Sequence, residues 1–372
     1  MSVEIWPSLP PEQLINTVVE QTQRRELEWL LNELHETLQN LKHGLEDCYA
    51  LLAPVDPGST LVVSTHRNEI VKGHITRVGT RIVKGTLTLK LRTQPHQTYT
   101  INQDHPIQLA PLASLHALLT ESIDLLTLTL GHTYTTPTSP ALGHSPPPSP
   151  THSTAAFVAA QLRLLSQSLA EAASLLKGPQ PLTASDATWV SRSCPPAHFA
   201  PPRPGPNLSL HWGVQESQLV LWLRALEPAD APVNLGLKLA LAIGTARRLE
   251  HDEADQIFMY TYPEGAEPPA TATATAASGT GSSSTGGGGD AGQSQKGSNS
   301  SVSSRENNAP ATARGTGSKN ENEAQVFVRE KVRVESADPA LMSLGTKLSA
   351  LAKTLSLARG NLAVVMGEDP EW

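Results

Sequence analysis

Leucines recur along residues 27–52 at spacings that alternate between four and three. This spacing is typical of the a/d seam of a coiled coil, in which one stripe of a helix packs against a partner. Pro54 and Pro57 follow the stripe, and proline ends a helix. The pattern therefore predicts a long first helix with the seam residues Leu27, Leu31, Leu34, Leu38, Leu41, Leu45, Cys48 and Leu52.

Three later segments repeat this spacing, at residues 109–130, 158–176 and 341–365. His116 takes a seam position in the second helix, where a buried, hydrogen-bonded imidazole is favoured over a metal ligand. Asp338 and Pro339 precede the last segment and are typical of a helix start. We predict an antiparallel, coiled-coil-like four-helix bundle within one chain, formed by residues 12–53, 108–130, 155–177 and 337–366.

Strands are indicated by alternating apolar residues between the helices. Residues 70–76 and 82–88 are near-repeats at a period of twelve, which suits two adjacent antiparallel strands. Further candidate strands are 208–214, 219–226, 257–262 and 326–334, and in the last of these Glu330 falls on the apolar face. We predict an α+β fold whose small, discontinuous antiparallel β-domain is a single module of residues 58–104, 206–262 and 325–335.

Two segments have a composition that does not support a packed core. Residues 131–154 form a Pro-rich linker with four Ser/Thr-Pro pairs, which are either phosphorylation sites or parts of a stiff spacer. Residues 263–324 contain no apolar side chain larger than Ala except Val302. We predict long disordered insertions here, and they dilute the chain average to 38% hydrophobic and 17% charged residues.

Charge is distributed unevenly although the net charge is only −7. Residues 12–53 carry eight acidic and three basic side chains, whereas residues 60–101 carry seven basic and one acidic side chain. The basic strands suggest either a surface for an acidic partner or anionic lipid, or an ordinary solvated face. The expected partner-binding residues are Lys72, Arg77, Arg81 and Lys84 on the strands and Glu28, Glu33 and Glu36 on the first helix.

Motifs of catalysis are missing from the sequence. The 13 histidines do not fall at metal-ligand spacings, and two cysteines are too few for a disulfide framework. We therefore expect no catalytic, cofactor-binding or metal-ligating residue. A zipper transcription factor needs a basic helix directly upstream of its zipper. The segment upstream of this zipper is not strongly basic, so we expect no binding to nucleic acid. The first residues do not resemble a signal peptide, and no apolar run approaches about 18 residues, which favours a cytoplasmic protein without a membrane span.

Four blocks of sequence, in this order, are similar to one known family. Residues 26–35 read Glu-Leu-Glu-Trp-Leu-Leu-Asn-Glu-Leu-His and residues 83–89 read Val-Lys-Gly-Thr-Leu-Thr-Leu. Residues 219–228 and 326–338, the latter followed by the last helix, complete the set. The chain resembles the Rogdi leucine-zipper family, whose fungal members are the small subunit of the RAVE complex, the regulator of the ATPase of vacuoles and endosomes.

The resemblance implies a two-part fold, without catalytic residues, that acts as an adaptor. Such a subunit would help a large propeller-containing scaffold to reattach the soluble sector of the V-type proton ATPase to its membrane sector. It would be cytoplasmic, with peripheral recruitment to vacuolar and endosomal membranes. The first alternative is a self-associating coiled-coil structural protein without an ATPase link, and a weaker one is an enzyme that acts on a small molecule through the β-domain.

Overall fold

Four long helices dominate the fold. The computed structural model describes residues 10–134, 150–179, 187–200, 207–230, 251–266 and 322–368. The helices are α1 (Pro11–Leu51), α2 (Ala110–Tyr134), α3 (Pro150–Lys177) and α4 (Pro339–Met366). Together with two antiparallel sheets they confirm the predicted α+β class.

The predicted start of the last helix is confirmed at α4. The Asp338 carboxylate accepts hydrogen bonds from the backbone N–H groups of Ala340 and Leu341 at 3.0 and 3.4 Å, and Pro339 occupies the first turn. Both features satisfy or remove amide donors that a helix N-terminus leaves unpaired. Gly367 ends the helix in a left-handed conformation, with φ of 73°, which glycine adopts without strain.

Helix α1 contacts α2 and α4, and α3 contacts the same two helices. The Lys347 Nζ atom lies 2.7 Å from the Asp47 carboxylate, and Leu351 lies against Gly44. Residue numbers therefore rise in α4 as they fall in α1, so these two helices run in opposite directions. The coiled-coil packing of the side chains stays a prediction.

Buried faces follow the predicted seams closely in α3 and less closely in α2. All six seam residues of α3 between Val158 and Leu176 are buried. In α2 the face is rotated, because Leu115, Ser122 and Thr129 are buried where His116, Ile123 and Leu130 were expected. His116 is half-buried, and its ring centroid lies 4.6 Å from that of Tyr49.

The buried face of α2 contains polar residues, and for this reason the spacing of apolar residues did not predict where that face lies. The hydroxyl of Thr129 donates a 2.7 Å hydrogen bond to the carbonyl oxygen of Leu125 in the same helix. A hydroxyl that is satisfied in this way can be buried at little cost. Apolar periodicity therefore predicts Leu112, Leu119 and Leu126 correctly as buried but misplaces the alternate positions of the face by one residue.

The strands form two antiparallel sheets. Sheet 1 has the order β1-β2-β3-β4-β6, with β5 paired to β3, and sheet 2 has the order β7-β8-β10-β9. The strands are β1 (Ser59–Ser64), β2 (Val71–Val78), β3 (Arg81–Leu89), β4 (Gln97–Ile101), β5 (Ile107–Gln108), β6 (Phe199–Ala200), β7 (Leu208–Gln215), β8 (Gln218–Pro228), β9 (Ile257–Thr261) and β10 (Glu323–Ala337). The near-repeat strands are neighbours, β2 and β3, as predicted.

Strand β10 joins the two sheets. Its Ser336 hydroxyl donates a 2.8 Å hydrogen bond to the carbonyl oxygen of Val62 in β1. Its Glu330 is buried beside a register shift and accepts a hydrogen bond from the backbone N–H of Thr93, which follows β3. The imperfect alternation at Glu330 therefore has a structural cause, since this carboxylate holds a loop of sheet 1.

One apolar core is shared by the helices and one face of each sheet. A smaller core surrounds Trp189 and includes Phe258 and Tyr260 of β9. Residues 131–134 and 150–154 of the predicted linker belong to α2 and α3. Residues 135–149, which hold the Ser/Thr of the four Ser/Thr-Pro pairs, and residues 267–321 lie outside the described residues.

Candidate interaction surfaces

The basic surface predicted from charge is present on sheet 1. Strands alternate their side chains between two faces, so cross-strand partners share a face. Lys72 pairs with Thr88, His74 pairs with Thr86, and Lys84 pairs with Thr76. We call this outward surface the lysine face, and its exposed or partly exposed members are Thr60, Val62, Lys72, His74, Lys84, Thr86, Thr88, Lys90, His96, Thr98 and Thr100.

Arg77 was expected on this exposed surface, and that expectation is wrong. The side chain is only 3% exposed, and its Nε atom lies 2.6 Å from the carboxylate of Asp338, which is fully buried. Arg77 has the same parity along β2 as the buried Val71 and Ile75, so it faces the core. The ion pair fastens the start of α4 to sheet 1.

The other predicted basic residues differ in their surroundings. Lys72 and Lys84 are exposed on the lysine face. Arg81 is also exposed, but its Nε atom donates a 2.8 Å hydrogen bond to the side chain of Gln108 in β5. The structure thus places Lys72 and Lys84 on one face and adds Lys90 and His96, which the prediction did not include.

The predicted acidic residues Glu28, Glu33 and Glu36 are exposed on α1. The segment before them, residues 12–26, was not predicted as a surface, yet every residue in it is exposed. Four large apolar side chains of this segment face solvent, and Trp29 just beyond it is 66% exposed. These five residues, which we call the α1 stripe, are Leu14, Ile15, Val18, Val19 and Trp29.

The α1 stripe and the buried face of α1 are different sides of one helix. An α-helix turns by about 100° per residue, which places the stripe roughly 130° from the buried leucines. The spacing of i, i+1, i+4 and i+5 from Leu14 to Val19 marks one side of a helix and was readable in the sequence. The stripe is therefore an apolar surface that no described part of the chain covers.

A buried ionic cluster lies on the outer face of sheet 2. Arg224 in β8 makes two hydrogen bonds, of 2.8 and 3.0 Å, to the carboxylate of Glu253, and both side chains are almost completely buried. The guanidinium carbon lies 4.4 Å from the ring centroid of Trp189. Lys331 of β10 completes the cluster, with its Nζ atom 2.7 Å from Glu253. The same Nζ atom lies 3.0 Å from the carboxylate of Asp252, so the two cations face two carboxylates and the cluster fastens the segment around Glu253 to sheet 2.

Acid is expected to weaken this cluster. Burial raises the pKa of Glu253, but the hydrogen bonds from Arg224 and Lys331 outweigh burial and hold this pKa below its usual value of 4.5. A carboxylate with a lowered pKa stabilises the fold above its unfolded-state pKa, and the contribution is lost as the pH falls through the folded-state pKa.

Urea unfolding at pH 6 and pH 3 measures this loss of stability. The free energy of unfolding should fall more steeply in the wild type than in Glu253→Gln, which has no carboxylate to protonate at this position. Glu264→Gln, an exposed carboxylate near β9, is the control and should behave like the wild type. Equal pH dependence of the wild type and Glu253→Gln would contradict the assignment.

A cavity of about 750 Å³ lies beside β7 and the start of α2. Its walls include Trp212, His211, Arg192 and Cys194. Burial raises the pKa of the Cys194 thiol to about 12 and that of the Cys48 thiol to about 11, so both remain protonated at neutral pH. Because the thiolate is the nucleophilic form of cysteine, neither thiol favours the enzyme hypothesis.

The described part of the chain has neither a metal-binding cluster nor a membrane-spanning helix. There, no three His, Cys, Asp or Glu side chains come together in a way that would hold a metal ion. None of the helices in the described ranges has the length and hydropathy that a membrane span requires.

Comparison with known proteins identifies the family. Residues 26–363 match the profile described as Rogdi leucine zipper containing protein, so the chain belongs to this family. The match begins one residue before Leu27, the first buried residue of α1, so most of the α1 stripe precedes it. No curated protein matches the chain.

Proposed function

We propose that this protein is a non-enzymatic adaptor subunit of a RAVE-type complex, which promotes assembly or reassembly of the vacuolar or endosomal V-type proton ATPase. The observation that carries the proposal is the family match over residues 26–363, since it includes both sheets, α2 and α3 and most of α1 and α4. Its partners would be a large propeller-containing scaffold and subunits of the soluble sector. The place of action would be the cytoplasm, with peripheral recruitment to the membrane.

An adaptor of this kind acts by raising the effective concentration of two bodies relative to each other. It needs two separate surfaces on a rigid frame, and the α1 stripe and the lysine face lie on different elements of this fold. The ion pair of Arg77 with Asp338 and the hydrogen bond of Ser336 to Val62 connect helices and sheets firmly. Binding by Lys72, Arg81, Lys84, Glu28, Glu33 and Glu36 stays a prediction.

The α1 stripe also favours a second candidate, a self-associating structural protein. A solvent-exposed apolar stripe on a helix is typical of a surface that packs against another helix. A second copy of this chain would be a partner of that kind. The two candidates differ in what the protein binds, so one co-purification experiment separates them.

Affinity purification of the tagged, full-length protein, with mass spectrometry of the bound proteins, tests the adaptor. We expect a propeller-containing scaffold and ATPase subunits to be recovered. Leu14→Glu/Val18→Glu should reduce this recovery at least tenfold, because burial of each side chain contributes about 1.5–3 kcal/mol and about 1.4 kcal/mol corresponds to a factor of ten.

The matched control is Gln13→Glu/Thr17→Glu, which adds the same charges at the same spacing on another side of α1. We expect it to leave recovery unchanged. If the wild type recovers only additional copies of itself, the structural-protein candidate replaces the adaptor. If both double variants lose partners equally, the α1 stripe is not the binding surface.

A further inference from the structure

The lysine face has the chemistry of an anion-binding surface. It presents Lys72, Lys84 and Lys90 with His74 and His96, surrounded by threonine hydroxyls. Among the described residues, no carboxylate lines either of the two depressions on this face. We propose that the lysine face docks on an anionic phospholipid membrane and that its three lysines contact headgroup phosphates. The inference rests on the proposed function only for the location of the protein at a membrane.

The strand register places the outward side chains of four strands in rows on the lysine face. Lys72 in β2 is followed across the sheet by Thr88 in β3 and Thr98 in β4. The next row contains Val62, His74, Thr86 and Thr100. Threonine side chains are short, so the long lysine side chains extend beyond them. Such a surface can bring several ammonium groups to one plane of charges.

Two shallow depressions add hydrogen-bond donors to this charge. The first, of about 410 Å³, is lined by Lys72, Lys90, His74 and His96 together with Thr86 and Thr88. The second, of about 360 Å³, is lined by Lys84 and shares His74 and Thr86 with the first. Ammonium and hydroxyl groups around a hollow suit a phosphate oxygen, which accepts several hydrogen bonds at once.

The composition of the lysine face favours a membrane over an acidic protein. Protein interfaces are enriched in aromatic residues and arginine and depleted in lysine. The aromatic side chain of β4, Tyr99, is buried in the core, and Arg77 is withdrawn into its ion pair. The large apolar side chains at the face are Val62, which is 70% exposed, and the half-buried Ile70 in the wall of the first depression. Anionic lipid, in contrast, attracts clustered lysines without requiring an apolar anchor.

Sedimentation of the full-length protein with lipid vesicles tests the inference. One set of vesicles contains phosphatidylcholine alone, and a second replaces a third of it with phosphatidylserine. We expect binding to the second set only, with weakening as salt is added. Because each lysine near an anionic surface strengthens association by about fivefold, Lys72→Glu/Lys84→Glu/Lys90→Glu should weaken it by about 100-fold or more.

The matched control reverses three exposed basic residues of the helices, Arg24→Glu/Arg25→Glu/Lys353→Glu, and produces the same net charge. We expect this variant to keep most of the binding. Equal loss in both variants would show that net charge alone acts and would overturn the site. If reversal of the lysines impairs folding by circular dichroism, the milder Lys72→Gln/Lys84→Gln/Lys90→Gln variant replaces it, with about 100-fold weaker binding still expected.

A soluble acidic partner is the competing outcome. If polyglutamate binds the wild type but not the lysine variant, while phosphatidylserine vesicles bind neither, the inference is wrong and the face serves a protein. Binding of the wild type to both vesicle sets would also contradict it. Recovery of ATPase subunits is measured separately, so failure of lipid binding leaves the adaptor proposal intact and the reverse also holds.

Discussion

Arg77→Met is expected to lower the free energy of unfolding by about 3–5 kcal/mol, because it leaves a buried carboxylate without its counter-charge. That carboxylate belongs to Asp338, which is fully buried and also caps α4. Asp338→Asn should cost a similar amount, since it removes the counter-charge of the buried Arg77 guanidinium. Denaturant unfolding monitored by tryptophan fluorescence measures both losses.

The matched control for this pair is Arg81→Met. Arg81 is an exposed arginine at the start of β3, and its side chain bonds to Gln108. A substitution there should change the free energy of unfolding by no more than about 0.5 kcal/mol. In a double-mutant cycle, Arg77→Met/Asp338→Asn should be less destabilised than the sum of its single changes. Equal effects of Arg77→Met and Arg81→Met would contradict the buried pair.

Leu34→Pro is expected to destabilise the whole protein by at least about 3 kcal/mol, since proline removes a backbone hydrogen bond inside α1. Loss of the buried leucine side chain adds about 2–5 kcal/mol if the site does not repack. Leu34 is 4% exposed and lies in the shared core. Thermal unfolding followed by circular dichroism should therefore show a large fall in Tm.

Val19→Pro is the paired experiment in the same helix. Val19 lies in residues 12–26, which are exposed throughout, so a break there removes helix without removing core contacts. We expect lower helicity at low temperature with little change in Tm. If Val19→Pro lowered Tm as much as Leu34→Pro, the first part of α1 would have to be packed, and the α1 stripe would not be free.

The elements that were predictable from the sequence are those in which burial imposes a regular spacing of apolar residues. The seam of α3 and the start of α4 follow directly from apolar periodicity and from the side-chain chemistry of Asp338. The β2–β3 pair was readable because its two strands are near-repeats separated by a short turn. These features depend on residues close together in the chain, which is why local patterns reveal them.

Features that depend on distant residues were not predictable in this way. Strand β10 pairs with β8 across about 100 residues of sequence, and nothing local specifies this partner. The pairing of Arg224 with Glu253 likewise appears only in three dimensions. The burial of Arg77, in contrast, was predictable. Arg77 has the same parity along β2 as the apolar residues Val71 and Ile75, but the count of charges treated it as a surface residue.

The candidate surfaces show the same division. Charge counts located the strands of the lysine face, but only the register shows that Lys72 and Lys84 share one face, and only the folded structure places Lys90 beside Lys72. The α1 stripe had a readable period, yet its exposure depends on where the remaining helices end. Whether a segment is exposed depends on which other elements of the fold cover it, so exposure cannot be predicted from the segment alone.

The most direct test of the adaptor is the set of proteins that co-purify with the tagged, full-length chain at native abundance. We expect mass spectrometry to identify a propeller-containing scaffold together with subunits of the soluble sector of the V-type proton ATPase. Recovery of this chain alone, as monomer or self-assembly, would contradict it.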